Sequence, residues 1–107
     1  MTGKLNMSVV TEVSQDGKKL TISIEGRFDF GRHQEFRESY ERLDNKPEFI
    51  VVDLKKATYL DSSALGMLLL LRDHAGGDAS DIRVVNSSND VKKILAISNF
   101  DKLFDIS

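Results

Sequence analysis

Val51-Val52-Asp53-Leu54-Lys55-Lys56-Ala57-Thr58-Tyr59-Leu60-Asp61-Ser62-Ser63-Ala64-Leu65-Gly66 is the stretch on which the fold turns. Together with Phe49 and Ile50 it opens as a continuous apolar run of strand length. Strands covered on both faces have this composition, and they are usually central strands of parallel or mixed sheets. A short loop is expected after Leu54. Asp61-Ser62-Ser63 then leads into residues 64–71, which are helical in propensity apart from Gly66, and Gly76-Gly77 ends the helix as a C-cap and turn. The order is strand, loop, helix start.

Upstream, residues 7–13 are rich in β-branched side chains, and Leu20-Thr21-Ile22-Ser23-Ile24-Glu25 alternates apolar and polar. Period two marks a half-buried strand. Gln15-Asp16-Gly17-Lys18 lies between them, and Asp-Gly favours a tight turn, so the two strands form a hairpin. Gly26 is expected to end the second strand. Phe36, Tyr40 and Leu43 recur at helical spacing among charged residues over 31–44, with Glu38 and Arg42 as a favourable pair four apart, and Asn45-Lys46-Pro47 stops this helix.

Downstream, residues 82–85 are a strand, and Asn86-Ser87-Ser88-Asn89 supplies caps for a helix through Val91, Ile94, Leu95 and Ser98. Phe100, Leu103 and Phe104 are read as a short closing helix. The order β-β-α-β-α-β-α predicts an α/β fold: a four-stranded mixed sheet with helices packed mainly on one face and right-handed crossovers. A chain of 107 residues without repeat or linker makes one domain, 1–107, large enough to bury a core.

Composition excludes several functions. There is no cysteine, so disulfides, thiolate chemistry and a Cys-built zinc site are out, as suits a reducing cytoplasm. Fifteen basic and 17 acidic side chains give a formal charge of −2, and Lys92-Lys93 is the strongest basic cluster. Nucleic-acid binders carry a basic excess, so no nucleic-acid partner is expected. Residues 1–6 lack a signal-peptide core, and 64–71 is far shorter than the roughly 20 residues of a membrane span. A soluble, unexported chain with no membrane insertion is expected.

The Asp61 corner admits two readings. A helix N-terminus exposes unpaired N–H groups and the positive end of the macrodipole. Asp61, Ser62 and Ser63 satisfy these groups as simple caps, and such caps are common. A phosphate at the same place is favoured for the same reasons. The helix that follows is apolar nearly all round, so it is either buried on several sides or keeps one greasy stripe uncovered. A stripe beside a phosphorylatable serine is a partner surface with a charge switch at its edge. Met67, Leu68 and Leu71 are the candidates for that face.

Asp61-Ser62-Ser63-Ala64-Leu65-Gly66 behind Ile50-Val51-Val52-Asp53-Leu54 resembles the signature of STAS domains, and is most similar to bacterial anti-sigma factor antagonists. The likeness runs through the opening hairpin, Gly26-Arg27-Phe28-Asp29, and Val91-Lys92-Lys93-Ile94-Leu95 with Phe100. Ala64 stands where the family usually has glycine. The resemblance implies a non-enzymatic binding module without cofactor. On that resemblance the first serine after the aspartate, Ser62, is the residue expected to be phosphorylated by a kinase that doubles as the anti-sigma factor, with a PP2C-type phosphatase reversing this. The resemblance further implies that the unphosphorylated form sequesters the anti-sigma factor. Asp61 supports the switch, and Ser63, then Thr58, are the lesser acceptors. Arg27, Asp29 and Arg32 form a charged patch whose default is solvated loop and whose family position is near the partner surface.

Rival readings are weaker. His33 and His74 are the two histidines, with no ligand-like spacing and no Gly-x-Ser-x-Gly elbow, so neither hydrolysis nor metal binding is expected. No phosphate-binding glycine loop is present. The stronger alternative keeps the fold and discards the phosphoserine: a STAS scaffold, or a subunit of a signalling or lipid-transport complex.

Overall fold

The computed structural model describes residues 9–43 and 47–107. Met7 and Ser8 of the expected first strand, Asp44 at the end of the expected first helix, and Asn45 and Lys46 of its expected stop lie outside the described residues. β1 (Val9–Val13) and β2 (Lys19–Phe28) form the expected antiparallel hairpin. Its turn is held by Asp16, whose carboxylate accepts from the Ser14 hydroxyl at 2.6 Å and from the Lys18 N–H at 3.0 Å. Gly17 takes φ +75°, a conformation costly for a residue with a Cβ.

After β2 come a 3₁₀ turn (Phe30–Arg32), α1 (His33–Glu41), β3 (Phe49–Leu60), α2 (Ser62–His74), β4 (Ile82–Val85), α3 (Asn89–Ile97), a second 3₁₀ turn (Phe100–Lys102) and β5 (Asp105–Ile106). The sheet order is β1-β2-β3-β4-β5, and β2 to β5 are parallel. Parallel neighbours in chain order each need a crossover, and crossovers of one hand put every helix on the same face.

The register shows that face. Leu20, Ile50 and Ile82 lie abreast, as do Ile22, Val52 and Val84, and all six are buried. They join Phe36 and Tyr40 of α1, Ala64, Met67, Leu68 and Leu71 of α2, and Val91 and Leu95 of α3 in one core. The intervening row, Thr21, Val51 and Arg83, stays partly or fully open to solvent.

Several expectations are corrected. The sheet has five strands, because the tail forms a 3₁₀ turn and the two-residue β5 instead of a helix. β3 is covered on one face only, with Phe49 and Val51 half-buried on the other. Its apolar run is therefore not the mark of a doubly covered strand.

No loop follows Leu54. β3 continues to Leu60, and Ala57 and Leu60 enter the core while Lys55, Lys56, Thr58 and Tyr59 stay outside. This broken alternation matches two register shifts against β2, between Ser23 and Glu25 and between Gly26 and Arg27. Gly26, at φ +81°, sits inside β2 at the second shift instead of ending it. The extra residue at each shift belongs to β3, and Gly26 on the facing strand adopts its conformation without the strain a Cβ would bring.

Candidate functional site

Because β2, β3 and β4 run parallel, their C-terminal ends share one edge of the sheet, and the helical segments begin there. Each is capped by a short polar side chain: Asp29 on the 3₁₀ turn before α1, Asp61 on α2 and Ser88 on α3. Only the middle corner sets an acidic cap directly before two serines.

At that corner Leu60 is buried and Asp61 turns out in extended conformation. Its N–H reaches the carbonyl of Phe28 at 3.4 Å, linking the corner to the end of β2. Asp61 Oδ1 accepts from the Ala64 N–H at 3.0 Å and from the Ser63 hydroxyl at 2.6 Å. The Ser63 hydroxyl holds the Asp61 carboxyl below its ordinary range, helped by the Ala64 and Ser63 N–H groups and the Arg27 charge against a small cost of burial.

Ser62 is the first residue of α2 and is exposed. Its hydroxyl makes no hydrogen bond among the described residues. The two adjacent serines thus differ: Ser63 spends its only hydroxyl proton on the cap, whereas Ser62 offers a free Oγ beside the first-turn N–H groups. Thr58 is also exposed, inside β3.

Arg27 closes one side of the corner. Its Nε lies 3.2 Å from Asp29 Oδ2, and its guanidinium stands 4.3 Å from the Tyr59 ring centroid. Asp29 Oδ1 accepts from the Gly31 N–H at 3.0 Å. Of the expected charged patch, Arg27 and Asp29 therefore sit together. Arg32 points along α1 towards Glu35, 4.0 Å away, with its Nε buried and without a hydrogen-bond partner.

The expected partner face is corrected. Met67 is 3% exposed, and Leu68 and Leu71 are fully buried. They point into the core against the sheet and are unavailable to a partner. The open leucines are Leu69 and Leu70, at 42% and 51% exposure. Positions 62, 66, 69, 70 and 73 share one helix face by spacing, and all five are exposed. The stripe exists, but it is a different one, continuous with Ser62. Counting from Ser62 at helical spacing finds it, once the buried face is known.

Phe30 and Tyr59 were also missed, and are exposed at 70% and 43% beside the same strand ends. His33 stacks on Phe30, with ring centroids 5.4 Å apart, and His74 packs on Tyr40 at 4.9 Å. Both histidines are thus accounted for by aromatic packing. Among the described residues no helix is long and apolar enough to cross a membrane.

With this geometry in view, comparison with known proteins gives the relationship. A curated STAS-domain-containing protein of Pseudomonas aeruginosa is 62% identical over 101 residues, covering 94% of this chain and 100% of its own. The anti-sigma factor antagonist SpoIIAA in its unphosphorylated form superposes with a TM-score of 0.72 at 16% identity, over 92% of this chain and 86% of that one. A sulfate transporter family protein from Wolinella succinogenes reaches the same TM-score of 0.72 at 12% identity, over 88% and 80%. Both structures share the fold. The family model described as "Mlab, STAS domain" matches residues 11–105, and the chain belongs to this STAS-domain family.

Proposed function

We propose that this chain is a phosphorylation-controlled binding module of the anti-sigma factor antagonist kind and not an enzyme. The observation that carries the reading is the inequality of the two serines: Ser62 Oγ is exposed and uncommitted at the first position of α2, while Ser63 is tied to Asp61. In its unphosphorylated form the module binds an anti-sigma factor that is also a serine kinase, in the bacterial cytoplasm. Ser62 Oγ attacks the γ-phosphorus of ATP, the bond to the β-phosphate oxygen breaks, ADP leaves, and the hydroxyl proton passes to a base on the kinase. A PP2C-type phosphatase returns the hydroxyl by adding water and releasing inorganic phosphate.

The geometry supports a switch that leaves the fold intact. The phosphate adds about −1.5 to −2 charges. Placed at a helix N-terminus, it meets the favourable end of the dipole. The same charge lies at the head of the Leu69–Leu70 stripe, where a docked partner would trap it. An unpaired charge buried at an interface costs several kcal/mol. At about 1.4 kcal/mol per tenfold, binding falls about a hundredfold or more.

Intact-mass and phosphosite mapping of the protein from its native cells, with and without phosphatase, tests the reading. A phosphate on Ser62 and weak partner binding by Ser62→Asp support it. Wild-type affinity in Ser62→Asp overturns it.

The fold shared with a sulfate transporter family protein favours one alternative, a scaffold in which Asp61 and Ser62 are helix caps only. The absence of phosphate under every growth condition would select it.

A further inference from the structure

No contact or backbone conformation among the described residues requires glycine at position 66. Gly66 is the fifth residue of the 13-residue α2, and a glycine inside a helix weakens it relative to alanine. Glycine is retained in helices where the backbone takes positive φ or where a neighbour crowds the Cα. Neither holds here. The positive-φ glycines among the described residues are Gly17, Gly26, Gly76 and Gly77, and a Cβ built on Gly66 meets nothing within 4 Å. The helix runs unbroken from Ser62 to His74 across this position.

The neighbours of Gly66 indicate what occupies the space. Ser62 lies one turn before it on the same face, about 5–6 Å away at Cβ spacing. Leu69 and Leu70 lie one turn after it, both exposed. The result is a notch between a free hydroxyl and two leucines. An enzyme that aligns a phosphorus with Ser62 Oγ must bring reacting atoms within about 3–3.5 Å of that oxygen. Its surface must then cover the next turn of α2, where Gly66 is.

We infer that Gly66 is the notch into which the kinase acting on Ser62 seats part of its own surface, with Leu69 and Leu70 as the apolar floor beside it. This rests on the reading of Ser62 as phosphoacceptor. The missing Cβ is a specificity element for that kinase, offset by a less stable helix.

The test uses the full chain, wild type, Gly66→Ala and Gly66→Leu, incubated in native-cell extract with radiolabelled ATP. Initial phosphate incorporation at Ser62 is read by mass spectrometry, melting by circular dichroism and self-association by sedimentation. Gly66→Ala is expected to melt higher by up to about 4–8 °C. It should nevertheless lose at least about tenfold in incorporation rate, the scale of one ill-fitting carbon in a fitted pocket, and Gly66→Leu should lose more.

Equal rates for wild type and Gly66→Ala overturn the inference and leave the Ser62 reading standing. No incorporation into wild-type Ser62 overturns both. A wild-type dimer that Gly66→Ala abolishes assigns the notch to a second copy of the chain and overturns the kinase as its occupant.

Discussion

Two corners of this molecule carry paired serines between a strand and a helix, and they present them differently. At Asp61-Ser62-Ser63 the cap precedes both serines, so Ser62 becomes the first helical residue and stands in solvent. At Asn86-Ser87-Ser88 the second serine is the cap: the Ser88 hydroxyl accepts from the Val91 N–H at 3.2 Å. Ser87 then falls before the helix. Its N–H bonds to the Ser107 carbonyl at 3.3 Å, and its hydroxyl oxygen is buried without a partner among the described residues. A shift of two residues in the cap decides whether a serine is offered or withheld.

The largest expected effect breaks the comparison outright. Ser62→Ala should abolish phosphate incorporation in native-cell extract, and Ser87→Ala should leave it unchanged. Phosphopeptide mapping distinguishes the two, and label on Ser87 would show that cap position does not govern acceptor choice.

Moving the caps comes next. Asp61→Ala and Ser88→Ala should each cost about 1 kcal/mol in urea unfolding. Only Asp61→Ala also releases the Ser63 hydroxyl, so phosphate should then divide between Ser62 and Ser63.

A smaller effect separates the chemistry of the two caps. The Asp61 carboxyl titrates lower in the folded protein than in the unfolded chain. As acid is added, the unfolded chain therefore takes up this proton first, and its uptake favours unfolding. The stability Asp61 contributes is complete above the unfolded value of about 3.9 and is lost as pH falls through the lower folded value. Asp61→Ser keeps a capping oxygen without a titratable group. Its urea midpoint should vary less with pH than that of wild type below pH about 3.9. The Ser88 hydroxyl does not titrate in this range.

The smallest effect is Ser87→Ala on stability. Removing a buried hydroxyl that has no partner should change unfolding by less than about 1 kcal/mol, in either direction.

How far the sequence foretold this structure varies with the locality of the cause. The hairpin was legible because Asp16 and Gly17 close it with bonds inside five residues, and the Leu20–Glu25 alternation sets its buried face. The Asp61 cap was legible for the same reason. The second half of β3 was not. Ala57 and Leu60 reach the core where β3 twice carries one residue more than β2 beside it, a property of the pairing and not of either strand alone. The exposed stripe of α2 was hidden in another way. Residues 67–71 are all apolar, so periodicity cannot tell the buried side from the open one. Packing against the sheet selects Met67, Leu68 and Leu71 for burial and leaves Leu69 and Leu70 outside. β5 escaped because two residues carry no periodic signal.

That short strand has a consequence for how the molecule stays free in a crowded cell. The outermost strand of any sheet offers unpaired N–H and C=O groups to passing chains. Here Asp105 and Ile106 pair with Arg83 and Val84, and the Ser107 N–H adds a bond to the Val84 carbonyl at 2.9 Å. β4 is thereby covered along Arg83 and Val84, and the N–H and C=O groups it would offer there are taken up inside the fold.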